Sequence, residues 1–264
     1  MNIGTDFHYD GMNLSDFGLM ICSIDESADG NFSVGSVTEL NTIKAPQSYV
    51  WNYLGESYSD PLEFEFTVGR IDKYGELHPI HQNEERAILK WLKQRGPYKS
   101  FYFLPSNPID DIIHHKAKID NVEEIKISGN TVGFSITIVT NAPFGFSKEW
   151  KYDLSANSQL TINVDSDEAN YLYPRLTIKA TKSGNVSLEN ISNGSGSSIN
   201  NLSANETVIV DKNNVGVITD LGTHNVVKDF SRTWFRLEDG ENICKLTGSA
   251  DVSITFQEPR KVGG

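Results

Sequence analysis

Polar and apolar positions alternate along most of this chain, and a period of two predicts strands. The clearest case follows Pro61, where Leu62, Phe64, Phe66 and Val68 fall on one face and Glu63, Glu65 and Thr67 on the other. Upstream, Phe7 to Gly11 reads as a short strand ending in an Asp-Gly turn. Leu14, Phe17, Leu19, Ile21 and Ile24 then resume an apolar series. Glu26 to Ser36 is acidic and then Gly- and Ser-rich, which predicts an exposed loop, and Val37 to Ile43 and Tyr49 to Leu54 are further strands. One stretch breaks the rule: Asn83 to Arg95 carries Ile88, Trp91 and Leu92 at i, i+3 and i+4, widened by Ala87 and Leu89. Asn83 is the expected N-cap, Glu84 and Glu85 sit at the positive end, and Gly96-Pro97 stops the helix. Its apolar stripe is expected to pack on the strand of Leu62, Phe64 and Phe66. Residues 100–104, 112–119, 122–127 and 132–139 return to strand patterns, so the helix lies between two strand clusters.

Asn141 to Ser147, with Pro143 and Gly145, interrupts the pattern and sets a domain boundary after it. Beyond it no helical period recurs. Short β runs at 160–164, 171–180, 186–188, 208–210, 215–218, 233–237, 243–246 and 252–256 are separated by Gly, Asn, Ser and Asp, and their spacing predicts a sandwich of about eight strands. Ser192 to Ser198 reads as a low-complexity loop. The fold class is mainly β: an N-terminal α+β domain over residues 1–148, a β-sandwich with one helix at 83–95, and a C-terminal β-sandwich over 149–264.

Charge narrows the function. The formal net charge is −12, with 12 Lys and Arg against 20 Asp and Glu in residues 1–148 and 11 against 15 thereafter. Neither half carries the basic face that grips a phosphate backbone, so specific nucleic-acid binding is not expected. No run approaches the roughly 18 apolar residues of a membrane span. Met1 to Asp6 lacks the basic and apolar regions of a signal peptide, so synthesis in a cytoplasm is expected and no membrane partner is. Cys22 and Cys244 lie in apolar segments and read as two buried thiols.

Candidate chemistry is sparse. His78-Pro-Ile-His81 and His114-His115, near Asp110 and Asp111, lack metal-site spacing. The carboxylate pairs Asp110-Asp111 and Glu123-Glu124, and Asp165, Asp167 and Glu168, read as solvated surface. No nucleophile elbow or phosphate-cradling loop is present, so the chain is not expected to be an enzyme, to hold a cofactor or to bind a metal. Trp234, Tyr171 and Tyr173 are the candidate glycan contacts of a lectin-like alternative, with core packing as the competing reading.

Phe7-His-Tyr-Asp-Gly-Met-Asn-Leu-Ser-Asp-Phe-Gly-Leu19, Pro61-Leu-Glu-Phe-Glu-Phe-Thr-Val68, the helix with Trp91 and the strand Phe101-Tyr-Phe103 together resemble the distal tail (Dit) proteins of siphophages. So do Arg232-Thr-Trp-Phe-Arg-Leu237 and Glu258-Pro-Arg-Lys-Val-Gly-Gly264. The resemblance spans nearly the whole chain and rests on order and spacing. It implies a galectin-like C-terminal sandwich and a homo-oligomeric, hexameric ring formed by the N-terminal domains. In the virion that ring would sit at the tail tip, between the tail tube protein and the tail-associated lysin or tip protein, near the receptor-binding protein. DNA would pass through its channel, and a like charge disfavours adsorption there. Edge strands at Leu19 to Ile24, or the strands of residues 112–138, are the candidates for pairing across subunits.

Overall fold

A computed structural model describes residues 3–22, 37–168 and 170–261. The loop expected at 26–36 and the apolar position Ile24 lie outside the described residues. The chain divides into two compact units, Met1–Ser147 with Lys261–Gly264, and Lys148–Arg260.

The first unit is built on seven antiparallel strands: β1 (Ile3–Tyr9), β2 (Met12–Asn13), β3 (Met20–Ile21), β6 (Glu63–Gly69), β7 (Lys99–Pro105), β8 (His115–Ile127) and β9 (Asn130–Thr140), in the order β2-β1-β7-β8-β9-β6-β3. Two more strands, β4 (Thr38–Lys44) and β5 (Trp51–Tyr58), pair only with each other. The alternation that predicted β6 is realised, since Phe64, Phe66 and Val68 are buried while Glu63 and Glu65 are exposed. The large sheet curls so that strands far apart in it face one another. Phe7 of β1 and Phe66 of β6 approach to 5.5 Å between ring centroids, and Phe64 of β6 and Phe103 of β7 to 5.3 Å. Edge-on rings at this spacing fill the interior of the curl.

The helix α1 spans Gln82–Leu92, close to the expected span but shifted at both ends. Its N-cap is His81, not Asn83. Glu84 is then the third helical residue, and its carboxylate accepts the His81 N–H at 3.0 Å. At the other end the helix stops once the apolar stripe is spent at Leu92. Ile88, Trp91 and Leu92 are buried as expected, yet the partner of Trp91 is not the β6 strand. Its indole stacks on Phe7 and Phe17 and meets Tyr9 edge-on, and Nε1 donates to the Tyr9 carbonyl at 2.9 Å.

Residues 112–119 and 122–127, expected as two strands, form one 13-residue strand, β8, with a register shift between Ile119 and Asn121. Because β8 and β9 lie inside the sheet, they are not edge strands. Of the two candidate pairing edges only the one at Met20–Ile21 lies on the rim. A two-residue strand β10 (Gly145–Phe146) bridges back to His114.

The second unit is a sandwich of nine antiparallel strands. One sheet has the order β11-β19-β13-β16-β17, from Trp150–Leu154, Ala250–Phe256, Arg175–Ala180, Thr207–Asp211 and Gly216–Thr219. The other has the order β12-β18-β14-β15, from Gln159–Val164, Gly240–Thr247, Gly184–Asn190 and Ser195–Leu202. Two readings are corrected. Most of the low-complexity stretch at Ser192–Ser198 belongs to β15, whose Ser197 is buried along with Ile199 and Leu202. Residues 233–237 are not a regular strand. Instead the buried Ser197 hydroxyl donates to the Thr233 carbonyl at 2.9 Å and accepts the Phe235 N–H at 2.8 Å, so a side chain replaces the backbone ladder. A short helix α2 (Val226–Asp229) interrupts a half that carries no helical period.

Cys22 and Cys244 are both free and buried, and burial pushes the Cys244 thiol up to about 12.

Candidate functional site

The hairpin β4–β5 is built against the rule that apolar residues go inside. Its strands are paired from Lys44 opposite Trp51 to Thr38 opposite Tyr58, with a bulge where Asn41 meets Gly55 and Thr42 meets Tyr53. A turn closed by the Ser48 N–H on the Ala45 carbonyl joins them. Leu40, Trp51, Tyr53 and Leu54 are each more than 60% exposed, and Ile43 is 55% exposed. None of them belongs to either buried cluster. Lys44 does lie over the Trp51 ring at 5.7 Å, a cross-strand contact that shields one indole face in part. An isolated two-stranded hairpin is marginal in water, and a contiguous exposed apolar surface marks an interaction site. A sequence reading finds both strands; it has no means of finding that they leave the sheet.

A second feature lies in the other unit. A groove of about 640 Å³ is lined by Tyr173, by the outer faces of β14 and β15, and by the segment from Thr233 to Arg236. Of the sequence-predicted glycan contacts, Trp234 and Tyr173 line it. Tyr171 does not, but the Arg236 guanidinium rests on its ring with Cζ 3.7 Å from the centroid. Trp234 is half-buried, tilted against Phe230 at 5.1 Å. Arg236 and Glu189 are groove residues that the sequence did not single out.

The remaining candidates go separate ways. His78 pairs with Asp72 at 3.2 Å, His81 caps α1, and His114 bridges to Phe146. His115 is buried, and burial, helped by neighbouring His114, lowers its imidazole to about 4. Among the described residues no group of three or more His, Cys, Asp or Glu side chains is arranged to hold a metal ion. Glu123 accepts from Asn121, Glu124 pairs with Lys126 at 2.6 Å, and Asp165 meets Arg260, so each carboxylate serves a local contact.

Residues 2–142 match a family described as the phage tail protein N-terminal domain, and residues 144–256 one described as the phage tail C-terminal domain. No curated protein matches the sequence. Among solved structures, the chain is similar to the Dit protein of phage SPP1, described as a paradigm of the hub adsorption apparatus in phages that infect Gram-positive bacteria. The TM-score is 0.64 at 13% identity, over 96% of this chain and 98% of that one. It is also similar to a chain of the phage P2 baseplate in its Ca-activated conformation, with a TM-score of 0.50 at 9% identity, over 97% and 98% of the two chains. At these identities the likeness is one of fold. The resemblance to distal tail proteins read from the sequence is borne out, as is the mainly β, two-domain fold class. The matching families and folds are those of tail components, and no catalytic family is among them.

Proposed function

The chain belongs to the phage tail protein family represented by these two domains, and from that premise we propose that it is a distal tail hub whose N-terminal units close into a hexameric ring. The carrying observation is the β4–β5 hairpin. Its exposed Leu40, Trp51, Tyr53 and Leu54 find no cover within their own unit, and a second copy of the unit supplies it. A hairpin that covers a neighbour makes a head-to-tail contact, and such contacts generate rings when the rotation closes. The short strand Met20–Ile21, at the rim of the large sheet, is the matching edge. In the virion the ring would join the tail tube protein on one side to the tip protein or tail-associated lysin and the receptor-binding protein on the other. The net charge of −12 suits a channel that DNA crosses without adhering.

Light scattering on the purified chain, backed by negative-stain images, tests this. The expected species contains about six chains in a ring with a central hole. The triple substitution Leu40→Asp, Trp51→Asp, Tyr53→Asp should give a monomer with an unchanged circular dichroism spectrum, because these side chains lie outside the core. A wild-type chain that stays monomeric even with tube protein present, or a triple variant that still forms the ring, refutes the proposal.

A further inference from the structure

The groove of the C-terminal unit has chemistry that the hub role leaves unused. Its floor is the outer face of β14 and β15, where Ser187 lies opposite Ser198 and Glu189 opposite Gly196. A side chain on Gly196 would press on the Leu188 carbonyl, 3.0 Å from where its Cβ would sit, so the floor stays low at that point. The wall is the irregular segment carrying Trp234 and Arg236, and it is pinned from behind. The Arg236 carbonyl accepts from Asn190 Nδ2 at 3.0 Å and from the Ser195 hydroxyl at 3.1 Å, and the Arg236 N–H donates back to that hydroxyl.

The arginine is the telling residue. Its guanidinium is held flat on Tyr171, yet Nε is buried and makes no hydrogen bond, with the Glu238 carboxylate no nearer than 3.9 Å. A buried donor left unpaired is costly and calls for an acceptor. That acceptor must come from outside the chain, and the rest of the groove says what kind of molecule bears it. An apolar ligand would leave Nε unpaired, and a phosphate would face the Glu189 carboxylate across the floor. A pyranose satisfies both. Its hydroxyls accept from Arg236 and donate to Glu189 and the serine hydroxyls, and its C–H face packs on Trp234, whose ring offers an apolar surface beside polar groups. The volume is that of a small-ligand site.

We infer that this groove is a saccharide-binding site, with Trp234 as the stacking platform and Arg236 and Glu189 as the hydroxyl-reading pair. It lies wholly within the unit Lys148–Arg260 and does not depend on ring formation. The test uses the full chain on an array of bacterial surface oligosaccharides, followed by calorimetry with each saccharide that binds. Inorganic phosphate and adenosine monophosphate serve as comparison ligands. Binding to at least one saccharide is expected. Arg236→Gln and Glu189→Ala should each weaken it about tenfold, as the loss of a charged hydrogen-bond partner does. Ser187→Phe, which raises the floor at a tolerant strand position, should abolish it while leaving the melting temperature intact. Trp234→Ala serves as a fourth arm, read only if its circular dichroism spectrum is native, since this ring also packs on the core. Failure to bind any saccharide, binding of phosphate alone, or saccharide binding unaffected by both Arg236→Gln and Ser187→Phe would each overturn the assignment.

Discussion

Trp91→Ala should destabilise the first unit by about 3–5 kcal/mol, the range for deleting a large aromatic from a packed core. The side chain is 2% exposed, and three aromatic neighbours lose a partner at once: Phe7 stacked at 5.8 Å, Phe17 stacked at 4.8 Å, and Tyr9 edge-on. The Tyr9 carbonyl also loses its indole donor. These contacts fasten α1 to β1 and to the turn at Leu14–Phe17, three parts of the chain that local sequence does not hold together. Urea unfolding of the variant, followed by calorimetry, should show one transition moved strongly down and the transition of the second unit left in place. Ring formation should fail with it. A loss below about 1 kcal/mol would mean that the cavity collapses and that α1 is not the brace of the unit.

Glu206→Ala should do comparable damage to the second unit. The Glu206 side chain is fully buried and accepts from Thr219 Oγ1 at 2.5 Å, from the Ser203 N–H at 2.9 Å and from His224 Nδ1 at 2.6 Å. His224 Nε2 reaches Asp229 at 2.9 Å, so the imidazole ties β16 to α2 through two carboxylates. Removing one partner of such a buried pair costs about 3–5 kcal/mol, because the other is left uncompensated. The same cluster sets a pH response. Hydrogen bonds to Glu206 and then Asp229 raise the His224 pKa above its ordinary 6.5. Its contribution is therefore complete below about pH 6.5 and is lost as pH rises through the folded value. Burial by itself would raise the Glu206 carboxyl, but the hydrogen bonds outweigh it and hold it below the usual range; the bond from His224 lowers Asp229 likewise. Those contributions are lost only as pH falls through their lowered values. The second unit should be most stable in mildly acidic solution.

The first unit should behave in the opposite sense. Buried His115, lowered to about 4, stays neutral while its unfolded counterpart takes a proton near 6.5. The unit should lose on the order of 3 kcal/mol as pH falls through that window. Calorimetry of the full chain from acid to alkaline pH reads both trends as two transitions, which Trp91→Ala assigns to their units. His224→Gln should remove the alkaline loss from the second transition, and His115→Leu the acid loss from the first. Two transitions that shift in parallel with pH would contradict this account.

Much of the fold was legible because its signals are local. The face of Phe64 and Phe66 on β6 and the stripe of Ile88, Trp91 and Leu92 on α1 follow from periods that a few residues define. Where a strand carries an irregularity, legibility fails in a specific way. β8 reads as two strands because of the shift after Ile119, and β15 reads as a loop because its inward position at Ser197 is a hydroxyl. That serine works only through Phe235 and Thr233, 36 and 38 residues on, which no local window reveals. The groove was half visible for the same reason. Trp234 and Tyr173 announce themselves as aromatics, whereas Arg236 acquires meaning only once Tyr171 lies beneath it and its Nε lacks an acceptor.

The sequence by itself determined which residues alternate, which face of the one long helix is apolar, and that the chain is a mainly β tail protein without a basic face. Tertiary structure alone decided that Trp91 meets Phe7 and Tyr9 and not Phe64, that β8 and β9 are interior, and that β4 and β5 stand clear of the core with their apolar side chains uncovered. The reason is physical. Hydrophobic burial is non-directional, so a local pattern says that a face must be covered without saying by what. The partner is chosen by the shape of the whole folded chain or, for the exposed hairpin, by another copy of it.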